Sequence, residues 1–258
     1  MKTAVIIQTR VVGALILREI RTRYGHSQFG FLWALSEPIA HIAVLSVIFI
    51  SVGRTPPIGN SMIPFFATGI LPFLLFRNLA NRVSSAIESN QSLLTYPIVK
   101  EMDTLVARAV LELATSLLVI LIVYSVLFGY GIGPFPARLT ATAGAIFSLA
   151  LFGFGVGIIN SVIMQMLPSW KNVYSLLTRP LFFVSGVFFT IDTLPGKIRD
   201  VLLWNPILHG VEWMRYGYYV NFRGDSFDPS YILAWGLGAT IFGLCAERLH
   251  RNWHNISG

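Results

Sequence analysis

Apolar residues run nearly unbroken over 31–53, 62–81, 105–128, 139–166, 173–191 and 229–247. Each run approaches or exceeds the roughly 20 residues that a helix needs to cross a bilayer. None shows the two-residue alternation of a membrane barrel strand. The pattern therefore predicts six transmembrane helices. The first 30 residues differ. Over 3–25, Val5, Val12, Leu15 and Ile16 recur at helical spacing among Arg10, Arg18, Glu19, Arg21 and Arg23. This stretch is too charged to span, so segment 1–30 predicts an amphipathic helix lying in the interface.

The breaks between runs read as turns. RTPPIGN at 54–60, GYGIGPFP before 139 and LPSWKN before 173 carry Gly, Pro and polar residues. Residues 192–228 are interrupted by Pro195, Gly196, Pro206 and Gly210, leaving apolar pieces of about ten residues, too short to cross. They predict a re-entrant helix pair or interfacial helices before the last span. With both termini inside, the inner segments hold about a dozen Lys and Arg and the outer ones about six, which satisfies the positive-inside bias. The expectation is an all-α membrane protein of one domain, residues 1–258, with N-in and C-in topology.

Composition agrees. Of 258 residues, 54% are hydrophobic and 12% charged, half the charge content of a soluble domain. The net charge of +7 reads as loop bias, not as a nucleic-acid surface. Cys245 is the single cysteine, so no internal disulfide forms. Charges cluster at the ends of the spans. Glu37 and Glu112 are the main acids at depth, and an interhelical hydrogen-bonding role fits them better than a proton relay. No HExxH, GxSxG or Walker A pattern is present. GFGVG at 153–157 lies in an apolar run, where Gly153 and Gly157 permit close helix packing. His250 and His254 lack a glutamate in register and read as solvent-facing.

LREIRTRYGHSQFGFLWALSEP, with YPIVKEMDTL after the second span and NPILHGVEWMRYGYY near the end, resembles the ABC-2 type polysaccharide export permeases. Within them it is most similar to the transmembrane subunit of capsular polysaccharide exporters (KpsM type). The resemblance covers essentially the whole chain. It implies a homodimer in the bacterial inner membrane, with two copies of a separate ATP-binding subunit docked inside. ATP and Mg would sit on that partner, leaving this chain without a cofactor or catalytic role. The cargo would be a lipid-linked acidic polysaccharide. A periplasmic adaptor and an outer-membrane exporter would continue the path. An O-antigen or teichoic-acid exporter differs only in the glycan; a small-drug exporter and a membrane-embedded lipid- or glycan-modifying enzyme are more distant alternatives.

Three groups of residues stand out. Arg18, Arg21, Arg23 and His26 would attract an anionic glycolipid head, and Tyr24, Phe29 and Trp33 would stack on sugar faces. Trp170 and Lys171 join them in the inner loop before 173. Lipid headgroups and interfacial aromatics account for the same residues without a substrate. Residues 86–103 carry apolar knobs (Leu93, Leu94, Tyr96) beside Glu88, Asn90 and Lys100, suited to a cleft in a partner protein. The resemblance implies that this is the coupling helix that meets the ATPase. Trp204, Trp213, Tyr216, Tyr218 and Tyr219 crowd the outer side, either as an aromatic belt or as an external gate.

Overall fold

A computed structural model describes the backbone of residues 2–24 and 30–257 and the side chains of 6–22 and 32–253. Among the described residues, ten α-helices follow one another: α1 Lys2–Tyr24, α2 Gly30–Ser51, α3 Met62–Ser84, α4 Gln91–Leu94, α5 Glu101–Gly129, α6 Leu139–Met166, α7 Trp170–Val184, α8 Gly196–Leu202, α9 Pro206–Tyr218 and α10 Pro229–Ser257. No strand occurs among the described residues.

Among the described residues, five helices are long and apolar enough to cross a membrane: α2, α3, α5, α6 and α10. They coincide with five of the six expected spans. Three overrun their expected ends: α3 runs to Ser84, three residues past 81. α5 starts at Glu101 and α10 continues through the basic tail to Ser257, because a helix already nucleated propagates through polar residues at little cost. The fifth expected span, 173–191, is the exception. Its apolar run is continuous, yet α7 stops at Val184. Gly186 takes a φ of 78°, a left-handed turn that ends the helix. The 15 residues of α7 reach only about 22 Å, short of the roughly 30 Å hydrocarbon layer.

α3 is the central helix. Its first four turns, 62–76, are apolar nearly all round, as a helix enclosed by others must be, and it packs on α2, α5, α6 and α9. Phe65, Phe66, Phe73, Ile70 and Leu75 are all at most 1% exposed. GFGVG sets two close crossings. A Cβ on Gly153 would lie 2.9 Å from the Phe76 carbonyl of α3, and one on Gly155 would lie 2.5 Å from the Thr240 nitrogen of α10. The small-residue packing expected there is what the helices use. α2, α7 and α10 lie outside, with Val47, Leu176 and Phe242 among their exposed side chains.

The two ends of the bundle are distinct. The α2–α3 turn, the α5–α6 turn and residues 219–221 line one cavity at one end. Tyr231 at the start of α10 joins that end by donating its hydroxyl to the Trp204 carbonyl at 3.0 Å. Residues 84–91 and 161–171 line another cavity at the opposite end.

Between α7 and α9 the backbone is irregular and buried, and one side chain supplies its missing partners. Arg215 of α9 is fully enclosed. Its Nη1 donates to the Phe189 carbonyl at 2.7 Å and to Glu212 Oε1 at 3.0 Å, while Nη2 donates to the Val187 carbonyl at 3.3 Å. Glu212 in turn accepts the Ile191 N–H at 3.4 Å. The guanidinium lies 4.4 Å from the Phe65 ring of α3. A Cβ on Gly69 would come within 3.0 Å of Nη2, so α3 must carry glycine there. His209 secures the next loops in its neutral form. Its Nδ1 accepts the Asp228 N–H at 2.8 Å, leaving Nε2 to donate to the Leu203 carbonyl at 2.8 Å.

Breaking a buried pair leaves an uncompensated charge and costs about 3–5 kcal/mol, whereas replacing both partners by neutral groups costs less. Arg215→Met is therefore expected to unfold at markedly lower temperature in detergent than the double variant Glu212→Gln/Arg215→Met. Fluorescence-detected size exclusion after heating measures it. A double variant no more stable than the single one would assign the cost to the 187 and 189 carbonyls instead of to charge balance.

Candidate functional site

At the end of the bundle where α1 lies, polar side chains join three elements. Arg18 Nη1 donates to Asn90 Oδ1 at 2.8 Å, and Asn90 Nδ2 donates to the Ala86 carbonyl at 2.8 Å. Arg108 of α5 pairs with Glu19 at 3.0 Å and donates to Ser85 Oγ at 2.9 Å. Asp103 accepts the Lys100 N–H at 2.9 Å, closing the start of α5, and also accepts from Gln8. α1 is thus held against α5 and the turn after α3, with Leu15 buried.

The first group of sequence candidates is split by the fold. Arg18 belongs to this polar joint; Arg21 is exposed on the same helix. Trp33, at the start of α2, is 74% exposed. His26 and Phe29 lie outside the described residues, as do the side chains of Arg23 and Tyr24. Trp170 is half-buried and donates Nε1–H to Asn160 Oδ1 of α6 at 2.8 Å. Lys171 faces Glu88 at 3.7 Å, both exposed. Two contacts therefore tie residues expected to meet substrate (Arg18, Lys171) to residues expected to meet a partner (Asn90, Glu88). Sequence spacing treats these as separate groups; only the packing brings them together.

Residues 86–103 are not one helix. A 3-10 turn at Glu88–Asn90 runs into the single turn of α4, and 95–100 is irregular before α5. Pro97 cannot donate a backbone hydrogen bond, which stops the helix there. The apolar knobs divide accordingly. Leu94 is half-buried and packs on the cluster of Val83, Ala86, Ile87, Leu105 and Ile158. Leu93 is half-buried as well, and Lys100 is exposed. Tyr96 and Ile98 are each 62% exposed. The outward apolar pair is thus Tyr96 and Ile98.

At the opposite end the aromatic group also divides. Trp204 stands out, 79% exposed. Trp213 is half-buried against Gly144 of α6, where a Cβ would lie 2.5 Å from its ring. Tyr216 stacks beneath the Arg138 guanidinium at 4.2 Å. Tyr218 and Tyr219 are core residues, 0% and 6% exposed, and Tyr218 packs on the Tyr124 ring at 4.9 Å. Arg138 lies at the start of α6, in the turn that follows α5. Its Nη1 donates to the Tyr216 and Tyr219 carbonyls at 2.7 and 3.1 Å, and its Nη2 to that of Val220 at 3.0 Å, capping the end of α9. Glu212 and Arg215 were missed entirely. Their i,i+3 spacing in HGVEWMRY is the only trace they leave in the sequence.

The two acids expected at depth sit in interhelical ion pairs. Glu37 of α2 pairs with Arg77 of α3. Glu112 of α5, 3% exposed, faces Arg82 of α3 at 3.8 Å. These contacts agree with the hydrogen-bonding role.

This assembly of membrane-length helices around a basic, polar end has clear relatives. The chain is 35% identical over 247 residues to polysialic acid transport protein KpsM of Escherichia coli, covering 94% of each. It is 33% identical over 240 residues to capsule polysaccharide export inner-membrane protein CtrC of Neisseria meningitidis serogroup B, covering 92% of this chain and 90% of that one. It is also 33% identical over 220 residues to capsule polysaccharide export inner-membrane protein BexB of Haemophilus influenzae, covering 84% and 82%. The profile of the ABC-2 type transporter family matches residues 10–219, from α1 to the end of α9. The chain belongs to the ABC-2 type transporter family.

Proposed function

We propose that this chain is the membrane permease subunit of an ATP-driven exporter that moves lipid-linked capsular polysaccharide across the bacterial inner membrane. The observation that carries the reading is its relationship, over most of its length, to permeases named for capsule export and polysialic acid transport. The polar joint at the α1 end is then cytoplasmic and the Arg138 end periplasmic, with both termini inside. α7, continued by residues 185–191, takes the place of a fifth crossing, and α8 and α9 form the re-entrant pair. The resemblance to the capsular polysaccharide exporters implies association with a second copy.

ATP hydrolysis, with its Mg, belongs to a separate subunit in two copies; this chain is a conduit and not a catalyst. Glu88, Tyr96, Ile98 and Lys100 form the docking surface for it. The contacts of Asn90 with Arg18 and of Glu88 with Lys171 make that surface continuous with the basic face where an acidic glycolipid would arrive. A periplasmic adaptor and an outer-membrane exporter meet the Trp204 end.

Affinity purification from the native membrane tests the reading. An ATP-binding subunit and a lipid-terminated acidic glycan are expected to come down with the chain; a chain recovered alone overturns the exporter assignment. Within that complex, Tyr96→Asp/Ile98→Asp is expected to lose the ATP-binding subunit at unchanged thermal stability. Leu94→Asp buries a carboxylate and is expected to lower stability itself. Removing Arg21, Arg23 and His26 together by alanine is expected to reduce polymer export about tenfold or more, the equivalent of one charge-assisted hydrogen bond of about 1.5 kcal/mol, with the dimer intact. Unchanged export in that variant would remove the basic cluster from the substrate path.

A further inference from the structure

α7 is covered by little of its own chain. Among its side chains only Thr178 is buried, and Leu176, Leu177 and Phe183 are each more than half exposed. Polar residues share that open surface. Asn172, Ser175 and Arg179 are exposed and recur at i, i+3 and i+7, which sets them in one stripe along the helix. Ser175 Oγ donates to the Asn172 carbonyl at 3.0 Å. Among the described residues, none pairs with Arg179 or hydrogen-bonds to it.

The neighbours of α7 fix the depth of that arginine. Phe182 meets Phe73 of α3 edge-on, with ring centres 5.2 Å apart, and its ring lies 6.3 Å from that of His41 of α2. Arg179 stands three residues earlier on α7, about 4.5 Å nearer the α1 end. α2 runs in the same direction and α3 in the opposite one, so an equal step leads from His41 to Pro38 and from Phe73 to Phe76. Glu37 and Arg77 are next to these and pair with each other. The acid of this layer is therefore already matched, and Arg179 adds one positive charge to it.

A guanidinium at span depth faces protein or water, not lipid tails. A snorkelling arginine would meet that demand by reaching the interface alone. Here Asn172 and Ser175 continue the polar surface from Arg179 to the start of α7, so a polar track leads to it from the α1 end. The chemistry of the track is specific. The guanidinium offers only donors, in a planar fork that matches a carboxylate, and the amide and hydroxyl beside it suit sugar hydroxyls. A single charge holds an anion without trapping it, as a conduit requires. We propose that α7 lines the export path and that Arg179 contacts the carboxylates of an acidic polysaccharide as it passes. The proposal rests on the exporter reading and its topology, and it adds a contact deep in the span to the basic residues expected at the cytoplasmic entry.

The test uses the full chain with its ATP-binding partner in nanodiscs. Cys245→Ser removes the native exposed thiol, and Ser175→Cys places a new one a turn from Arg179 on the same stripe. The rate at which a membrane-impermeant, sulfonate-bearing methanethiosulfonate modifies that thiol reads access from water. A short oligomer of sialic acid is the acidic probe, and dextran of equal length is the neutral control. The thiol is expected to react, and the sialic acid oligomer is expected to slow the reaction at least about tenfold while dextran does not. Adding Arg179→Gln is expected to abolish that protection, and Arg179→Lys to keep most of it. A thiol that does not react would place the stripe against lipid and overturn the proposal. So would equal slowing by dextran, no slowing by the acidic oligomer, or protection that survives Arg179→Gln. Retention of the ATP-binding subunit is scored on the same sample. Its absence overturns the exporter reading; its presence with an unprotected thiol overturns only the role of Arg179.

Discussion

Arg215 is a charge with no route to water, and the Arg138 end of the fold is arranged around it. A chain that turns inside a bundle exposes carbonyls and N–H groups that lipid cannot satisfy. Residues 187–191 are such a turn, and the Glu212–Arg215 pair supplies partners for three of its backbone groups. Glu212 offsets the charge of the arginine, and the Phe65 ring covers its face. Once that pair is buried, α7 can end at Gly186, α9 can return against α3, and Arg138 can close the end of α9. Without it, the 173–191 run would be better off as one uninterrupted helix.

The α1 end solves a different problem. There the contacts are distributed over several elements: Arg18 with Asn90, Arg108 with Glu19, Lys171 with Glu88. The exposed pair of Lys171 and Glu88 contributes little, whereas Arg108 and Glu19 are only 11% and 20% exposed and Asn90 is buried. Their shared consequence is geometric. They place α1, the turn after α3 and the start of α7 on one continuous surface.

Much of this was legible in the chain. Five span positions, a helix over the first segment and the packing role of GFGVG follow from apolar run length, helical spacing and small-residue spacing, all local properties. The family was legible in LREIRTRYGHSQFGFLWALSEP. The candidate residues were identified by type more securely than by orientation. Leu93, Leu94, Tyr96 and Ile98 look equivalent as apolar knobs. The inward turn of Leu94 onto Ile87 and Leu105, and the outward turn of Tyr96 and Ile98, depend on where α3 and α5 lie. Tyr218 and Trp204 look alike in an aromatic-rich segment, yet one is enclosed and the other almost fully exposed.

The sequence by itself determined which segments prefer an apolar phase, because transfer free energy is summed residue by residue along each run. Tertiary structure decided which polar residues within and beside those segments meet. Glu37 and Glu112 are 75 positions apart and join one cavity wall; Arg18 and Asn90 are 72 apart and share a hydrogen bond. The length of α7 belongs with these. Its apolar run favours a full crossing, and it ends early because Arg215, more than 25 residues further on, satisfies the backbone of the turn. A hydrogen bond between distant residues leaves no periodic signal in the chain, so only the packed helices reveal it.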